Sequence, residues 1–227
     1  MCGRFTLAIN PADLATRFEV TQTQAAENLR PRYNIAPMQK TVIIKDEQPD
    51  TFAMATWGLI PVWAKDPSIA SKLINARGET VAEKPSFRTA FKKRRCLVLA
   101  DGFYEWQKSA DGKSKTPMHI HLASGEPFAM AGLWENWKPQ DAPESDWRST
   151  FTVITIGPNA LMAPIHDRMP VILPRGRERD WLNPGGGVVE LLDLLRPYPA
   201  ELMSAYAVST RVNSVRNDEA GLIASAS

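Results

Sequence analysis

Residues 96–106 have the sequence Cys96-Leu97-Val98-Leu99-Ala100-Asp101-Gly102-Phe103-Tyr104-Glu105-Trp106. The first five are apolar without a break, which is typical of a strand buried on both faces, so Cys96 is expected to lie in the core. An aspartate and a glycine then provide a turn signal. The last four residues predict another strand, in which Glu105 shares a face with Phe103. The stretch therefore predicts two successive strands.

The segment that follows extends this pattern into a meander. Turn signals at residues 110–113 and 124–125 flank a predicted strand over residues 117–122. A further strand is predicted over residues 127–134. Consecutive strands joined by short turns favour antiparallel pairing.

The N-terminal segment predicts a strand, a helix and a long loop. Residues 3–9 alternate well enough between apolar and polar for a strand. Asn10 and Pro11 suit the N-cap and the first position of a helix that continues to about Glu19. Residues 20–40 are polar and contain prolines, which indicates a long ordered loop of the kind that tends to carry function.

Composition indicates a globular protein of one domain, residues 1–227. The chain has 227 residues, 44% of them hydrophobic, which is ample for a core. A net charge of +2 makes no case by itself for nucleic acid. Two cysteines cannot form a disulfide framework, and there is neither a signal peptide nor a bilayer-length apolar run, so we expect a cytoplasmic protein. Residues from about 223 to 227 are expected to fray.

Met1-Cys2-Gly3-Arg4 begins the chain, and Cys2 is the first candidate for a catalytic residue. Removal of Met1 would give Cys2 a free α-amine beside its thiol, with ordinary pKa values of roughly 8 and roughly 8.5. Such an aminothiol condenses with an aldehyde to an imine and closes a thiazolidine, or it attacks an amide as an N-terminal nucleophile. The alternative is that Cys2 is merely small enough to permit removal of Met1.

Glu105 is the first candidate for a proton-transfer group. It stands among three aromatic residues, and poor solvation there would raise its pKa toward the range useful for proton transfer. The alternative is a glutamate at the edge of a sheet that points to water.

Two further segments offer aromatic rings and amide or guanidinium groups. Trp57 and Trp63 are either anchors in the core and loops or rings on which nucleobases stack. Asn75 could donate to an oxyanion beside the guanidinium of Arg77, or it could cap a helix that precedes a surface arginine. The four cations of residues 92–95 form either a solvated face or part of a site for a polyanion.

Histidines supply the remaining candidates. His119 and His121 would face the same way on a strand, but no third or fourth ligand has suitable spacing, so we expect no metal. Residues 159–162 predict a short helix that leads to His166 and Arg168, which flank an aspartate. This group suggests either a shaped turn at a site or a capped helix end.

Seven motifs, in this order, resemble the SRAP family, the SOS response-associated peptidases, which include proteins that shield abasic sites in single-stranded DNA. Together they span nearly the whole chain. They are Cys2-Gly3-Arg4-Phe5, Tyr33-Asn34-Ile35-Ala36-Pro37, Trp57-Gly58-Leu59-Ile60-Pro61, Asn75-Ala76-Arg77, Asp101-Gly102-Phe103-Tyr104-Glu105-Trp106, His166-Asp167-Arg168-Met169-Pro170 and Ser209-Thr210-Arg211-Val212-Asn213. The resemblance implies a single α+β domain with a barrel-like, bifurcated, mostly antiparallel sheet around a central cleft, flanked by short helices.

The resemblance also implies the chemistry. Cys2, once Met1 is lost, would form a thiazolidine with the aldehyde of an abasic deoxyribose. Asn75 would stabilise the sugar hydroxyl or the developing oxyanion. Glu105 would move protons during removal of Met1 and imine formation, and His166 would assist opening of the sugar ring. These activities correspond to an autopeptidase and to a crosslinking, lyase-like reaction.

For the partner, the resemblance implies single-stranded DNA that contains abasic sites, with no cofactor, no membrane and a monomeric protein. Arg4, Arg77 and Arg168 would hold phosphates on either side of the lesion, and Pro37 and Trp63 would support or wedge the bases.

One position departs from the family's pattern, and two rival functions stay open. Some members carry a second aromatic residue where this chain has Ala64, which puts the stacking of bases at that point in question. Glutamine amidotransferases of the N-terminal nucleophile class also begin Met-Cys-Gly. A non-covalent reader of modified or single-stranded DNA, with Cys2 incidental, is the rival from a different class.

Overall fold

In a computed structural model of the chain, the structure describes residues 2–21, 23–27 and 29–226. Twelve strands are found there: β1 (Phe5–Leu7), β2 (Arg32–Ile35), β3 (Lys40–Lys45), β4 (Gln48–Trp57), β5 (Asn75–Arg77), β6 (Arg95–Ala100), β7 (Gly102–Lys108), β8 (Lys115–Leu122), β9 (Phe128–Trp137), β10 (Arg148–Ile156), β11 (Met169–Pro170) and β12 (Met203–Ala207). The α-helices of the same ranges are α1 (Pro11–Phe18), α2 (Arg88–Lys93), α3 (Glu178–Leu182) and α4 (Val188–Asp193). Short 3-10 helices lie at Gln24–Ala26, Pro67–Lys72, Gly78–Thr80, Glu144–Asp146, Ala200–Leu202, Thr210–Asn213 and Ala220–Ile223.

Five strands close into a barrel. The larger sheet has the order β11-β10-β4-β3-β6-β9, and β9 pairs again with β10, which completes the ring β10-β4-β3-β6-β9. All six residues of β6 are buried, because their side chains fill the barrel on one face and pack under α3 and α2 on the other. The uninterrupted apolar run of residues 96–100 thus predicted a central strand correctly, with Cys96 in the core.

A second sheet, of order β12-β8-β7-β1-β2, packs against this barrel. β1 lies between β7 and β2, and its Phe5 pairs with Phe103 on one side and Ile35 on the other. The Phe5 ring contacts the buried Trp57 of the barrel, with 5.0 Å between ring centroids. The strand that follows the N-terminus is therefore held on both edges and on one face.

β10 is the strand at which the sheet divides. It pairs in parallel with β4 at Thr150, and a few residues later it pairs in parallel with β5, where Val153 is opposite Asn75. The other sheet contacts are antiparallel. The expected α+β fold with a barrel-like, bifurcated, mostly antiparallel sheet is confirmed.

Helix α1 begins as the sequence predicts. The Asn10 side chain accepts a hydrogen bond of 2.9 Å from the Asp13 amide, and Pro11 occupies the first helical position, where its missing N–H leaves no bond unmade. The helix buries Leu14 and Phe18 against the core. It ends at Glu19, whose positive φ of 57° stops the helix.

Three sequence-based expectations differ from the structure. Residues 20–40 are not all loop, because β2 lies within them and pairs with β1. Residues 159–162 form turns rather than a short helix. The C-terminal residues are paired rather than frayed as far as they are described: Ser225 bridges to Val208, and the Ala226 amide donates to Ala207. Ser227 lies outside the described residues.

The four cations of residues 92–95 do not form one surface. Lys92 and Lys93 are exposed, and Arg94 pairs with Glu135 at 2.6 Å. Arg95 is fully buried, and its guanidinium donates to the carbonyls of Phe91, Trp181 and Asn183. Arg95 therefore joins the barrel to α3.

None of the helices in the described part of the chain is long and apolar enough to cross a membrane.

Candidate active site

Cys2 is buried and fixed at the start of the chain's first strand. The Asn75 side-chain amide donates a hydrogen bond of 2.7 Å to the Cys2 carbonyl, and Cys2 has no exposed surface. Burial raises the pKa of the Cys2 thiol well above its ordinary value, and the charge of Glu105 raises it further. Cys2 is therefore anchored in the fold by this hydrogen bond and its burial, and the resting thiol is held in its neutral form.

Asn75 connects Cys2 to the barrel. It is the first residue of β5, which pairs in parallel with β10, so its position is set by a sheet and not by a loop. Its Nδ2 donates to Cys2, while its Oδ1 is buried and accepts no hydrogen bond from any described residue. The amide oxygen is thus a buried acceptor beside the main chain of Cys2.

Glu105 is a buried acid on β7, with 2% of its surface exposed. Burial raises the pKa of its carboxyl, and the nearby charge of Asp167 acts in the same direction. The direction agrees with the interpretation drawn from its aromatic neighbours. The charge of Glu105 is one of the causes that raise the pKa of the Cys2 thiol, and both groups are buried, so the acid acts on the thiol across a poorly solvated space.

His166 faces Glu105 across this space, with 3.9 Å between His166 Nε2 and Glu105 Oε2. His166 Nδ1 lies 3.0 Å from the Arg168 amide, which can only donate to it, and 2.8 Å from the Asp167 carboxylate, which can only accept from it, so the two contacts favour opposite tautomers of the ring. Burial is the main reason that the pKa of His166 is lowered. The contact of 2.8 Å between Nδ1 and the exposed Asp167 carboxylate favours the charged ring and becomes an ion pair only after protonation.

A cleft of about 650 Å³ opens on this pair of groups. Its lining includes Glu105, Trp106 and His166, together with Lys108 and Lys115 from the β7–β8 hairpin. The structure therefore brings the acid and the imidazole to the same opening, whereas Cys2 and Asn75 are not among the residues that line it. An aldehyde that entered the cleft would meet groups able to give and take protons.

Arg4 is partly committed to the protein. Its Nη1 donates to Asn34 Oδ1 and to the Val212 carbonyl, both at 2.8 Å, and its Nη2 donates to Asn213 at 3.3 Å. Its guanidinium carbon lies 5.8 Å from the centre of the Trp106 ring. With three of its five N–H groups engaged, Arg4 has only part of its guanidinium left for a phosphate.

Arg77 and Arg168 differ in how far other groups of the protein already engage their guanidinium groups. Arg77 is exposed on β5, two residues beyond Asn75 and on the same face, and it forms no hydrogen bond or ion pair with the described residues. Arg168 forms a two-point ion pair with Glu79, at 2.5 and 2.8 Å, and also donates to the Thr155 carbonyl. Arg77 is therefore an open cation, whereas Arg168 already has an anionic partner.

Comparison with known proteins places these features in a family. The family model for the SOS response associated peptidase (SRAP) matches residues 1–215. The chain belongs to the SRAP family. It is 48% identical over 227 residues to the abasic site processing protein YoqW of Bacillus subtilis, an alignment that covers 99% of this chain and 100% of YoqW.

More distant SRAP relatives match over most of their length as well. The abasic site processing protein YedK of Escherichia coli is 30% identical, with 98% of this chain and 99% of YedK covered. The abasic site processing protein HMCES of Xenopus tropicalis is 31% identical, with 96% of this chain and 76% of HMCES covered. A crystal structure of a protein from Bacteroides thetaiotaomicron superposes with a TM-score of 0.90 at 30% identity and covers 99% of this chain and 100% of that one.

The remaining residues expected from the SRAP resemblance lie outside the Glu105–His166 cleft. Pro37 is half-buried in the turn between β2 and β3, and Trp63 is 55% exposed beside a separate cavity of about 500 Å³ that Lys65 and Lys72 also line. Ala64 is nearly buried, and its carbonyl accepts from Trp137 Nε1 at 2.7 Å. Of this chain's two candidate tryptophans, Trp57 is a core anchor and only Trp63 offers a ring to solvent.

His119 and His121 have structural partners in this SRAP chain. Their rings stack at 5.6 Å, and both contact Tyr206. Tyr206 donates its hydroxyl proton to the Ile223 carbonyl at 2.7 Å, so His119 Nδ1 is the donor in its 3.1 Å contact with Tyr206. Burial lowers the pKa of His119 to about 4, which keeps the ring neutral. In the described ranges no three His, Cys, Asp or Glu side chains are grouped to hold a metal ion.

Two residues that sequence reasoning left without a role prove central to this SRAP site. Asn34 is fully buried, accepts from Arg4, and donates to the carbonyls of Val212, Ser214 and Asn217. It therefore holds the last family motif against the N-terminal strand. Glu79 is the anion that occupies Arg168. Both lie in or beside quoted motifs, but their partners are 30 or more residues away in sequence, so no local pattern indicates the pairing.

Proposed function

We propose that this protein processes abasic sites in single-stranded DNA by forming a covalent bond between Cys2 and the aldehyde of the lesion. The observation that carries this proposal is the placement of Cys2, whose main chain is held by Asn75 inside the same poorly solvated site as Glu105. The names of the SRAP relatives, which are abasic site processing proteins, support the same substrate.

Loss of Met1 comes first, because it frees the Cys2 amine. The proposed activity is that of a thiol autopeptidase: Glu105 takes the proton of the Cys2 thiol, the sulfur displaces the α-amine from the Met1 carbonyl while Glu105 returns the proton to that amine, and water hydrolyses the thioester to release Met1. An aminopeptidase would give the same product. In either case the α-amine and the thiol then belong to one residue.

The amine then attacks the aldehyde before the thiol does. The buried Cys2 thiol has a raised pKa and is a poor nucleophile in its neutral form, whereas an α-amine with an ordinary pKa near roughly 8 is partly neutral at pH 7. The carbonyl oxygen leaves as water and a C=N bond replaces the C=O bond. Addition of the thiol across C=N, with its proton passing to nitrogen, closes the thiazolidine.

Glu105 and His166 divide the proton transfers. A neutral Glu105 supplies the proton that departing water needs, and its carboxylate then takes the thiol proton as the ring closes. His166, whose Nε2 lies 3.9 Å from Glu105 Oε2, assists opening of the sugar ring, which exposes the aldehyde. The free Oδ1 of Asn75 accepts from the sugar hydroxyl, while its amide keeps Cys2 in position.

The DNA strand would lie across the cleft between cations and exposed rings. Arg77 is the strongest candidate for a phosphate contact because it is exposed and has no described partner. Arg4 contributes its remaining donors, and Arg168 contributes after exchange of Glu79. Pro37 and Trp63 support the neighbouring bases.

Denaturing gels with an abasic oligonucleotide test the proposal, because only a covalent adduct survives denaturation. We expect the wild-type protein and Cys96→Ser to form the adduct, and Cys2→Ala to form none or only a labile imine. Loss of the adduct in a folded Cys96→Ser protein would contradict the assignment of Cys2 as the nucleophile. Binding without any adduct would favour a non-covalent reader, and glutamine hydrolysis in a glutaminase assay would favour the amidotransferase.

A further inference from the structure

A second pocket lies outside the cleft that holds Glu105. It has a volume of about 310 Å³, and its walls include Leu29, Arg30, Arg32, Lys40 and Met54. None of these residues belongs to the seven family motifs, and no role in the proposed chemistry accounts for them.

The charge of this pocket is unbalanced. Its lining contains three cationic side chains and no acid. Arg32 is neutralised by an ion pair with Asp218, but Arg30 and Lys40 are exposed and form no hydrogen bond or ion pair with any described residue. Two uncompensated positive charges at one opening attract a polyanion.

The other wall of the pocket is apolar. Leu29 packs partly against the core, and Met54 projects from β4 with 38% of its surface exposed. A methionine thioether is a soft, adaptable surface that makes favourable contacts with aromatic rings. Cations beside an apolar wall match the two parts of a nucleotide, its phosphate and its base.

The pocket is connected to the proposed path of the DNA. Arg32 and Lys40 stand on either side of the turn that contains Pro37, and Arg32 Nη2 donates at 2.6 Å to Gln39, whose Oε1 also closes that turn. Arg32 pairs with Leu7 of β1, and Leu7 lies five residues after Cys2, a separation of at most roughly 17 Å in extended chain. A few nucleotides of single strand cover that distance.

We propose that this pocket binds a nucleotide of the same strand, a few positions from the abasic site, with its phosphate on Arg30 and Lys40 and its base against Leu29 and Met54. The inference rests on the proposed function, because it extends the strand that Cys2 captures. The pocket lengthens the DNA footprint and takes no part in the covalent step.

Two abasic oligonucleotides of different length test this. The short one carries about two nucleotides on each side of the lesion, and the long one has about 20 nucleotides in all, so that only the long one can reach from the cleft to the pocket. Two variants alter the pocket: the double variant Arg30→Ala with Lys40→Ala, and the single variant Met54→Ser. The control is the double variant Lys92→Ala with Lys93→Ala, which also removes two exposed positive charges.

For the long oligonucleotide we expect the Arg30/Lys40 pair to bind about tenfold more weakly, with a salt slope smaller by about 0.7, the value for one single-strand phosphate contact. Met54→Ser should bind about threefold more weakly with an unchanged slope. The short oligonucleotide should bind and crosslink equally to all variants, and the control pair should match the wild type with both.

Equal losses in the Arg30/Lys40 pair and the control pair would overturn the proposal, because they would indicate a general effect of net charge. A wild-type affinity of the Arg30/Lys40 pair for the long oligonucleotide would overturn it as well, while crosslinking by the wild type would still support the proposed function. Failure of the wild type to crosslink either oligonucleotide would overturn both proposals together.

Discussion

The side-chain amide of Asn75 donates a hydrogen bond of 2.7 Å to the main-chain carbonyl of Cys2. This bond joins the start of the chain to β5, a short strand that is itself held by β10 of the barrel. A main-chain contact of this kind fixes the carbonyl of Cys2 whatever its side chain does. Asn75 therefore positions Cys2 in a protein with no substrate bound.

Replacement of Asn75 by aspartate tests this relationship. Aspartate has nearly the same shape but only acceptor oxygens, so the contact with the Cys2 carbonyl becomes repulsive, and a second carboxylate is added near Glu105. We expect single-turnover crosslinking to an abasic single strand to slow by about 10²-fold, the usual effect of displacing a reacting group by about 1 Å. Wild-type rates in a protein that unfolds at the wild-type temperature would contradict a positioning role.

Replacement of Glu105 by glutamine tests proton transfer. Glutamine keeps the shape but cannot carry a proton between the amine, the departing water and the thiol. We expect crosslinking slowed by on the order of 10²-fold or more, with little change in DNA affinity. Intact mass reports whether Met1 has been removed, so that only fully processed protein is compared. A processed Glu105→Gln protein that crosslinks at the wild-type rate would make His166 the better candidate.

Arg77 and Arg4 should differ in their effect on binding. Arg77→Ala removes an open cation, so the affinity for single-stranded DNA should fall and the slope of its logarithm against log salt should become shallower by about 0.7. Arg4→Ala should change the slope less and lower the unfolding temperature more, because Arg4 joins β1 to the loop at Val212. Salt titrations and thermal unfolding measure the two effects. Unchanged slopes in both variants would place the DNA elsewhere.

His119 should make the fold sensitive to acid. Its pKa is about 4 in the folded protein against an ordinary 6.5, so between these values the unfolded chain binds a proton that the folded chain does not. As pH falls from 6.5 to 4, protonation of His119 in the unfolded chain should therefore lower the free energy of unfolding by about 3 kcal/mol. Above pH 6.5 it should have no effect. Urea unfolding across this range should show a smaller fall in His119→Gln. Parallel curves for the two proteins would exclude the effect.

The sequence predicts the fold where burial decides the pattern. The apolar run of β6 and the capped start of α1 are local signals, and both elements form as expected. β2 escaped prediction because Arg32-Tyr33-Asn34-Ile35 lacks alternation. Asn34 of this strand is buried because its side chain forms hydrogen bonds there, and not because its burial removes apolar surface from water. Those bonds go to residues 212–217. Such a strand is specified by tertiary contacts alone.

Some features of the candidate site could likewise be predicted from the sequence, and others could not. The raised pKa of Glu105 follows from neighbours in sequence, and its direction could be predicted. The contacts of Arg4 with Asn34 and of Arg168 with Glu79 could not be predicted, because a sequence motif shows that a guanidinium is present but not which acceptor it binds. The surroundings of Ala64 are likewise visible only in the structure, where it is nearly buried in a small apolar cluster with Trp137.

The ion pair between Arg168 and Glu79 makes DNA binding at that position an exchange of one anion for another. Arg168 lowers the pKa of Glu79, and a phosphate that took the guanidinium would release the carboxylate and let its pKa return upward. Capture of the strand would then be linked to proton uptake by Glu79 in mildly acidic solution. Because the Arg168–Glu79 pair carries no net charge, a phosphate bound there would keep most of its condensed counterions, so Arg168 would contribute to affinity with little sensitivity to salt. Two arginines of one site would thus respond to different properties of the medium, Arg77 to ionic strength and Arg168 to acidity.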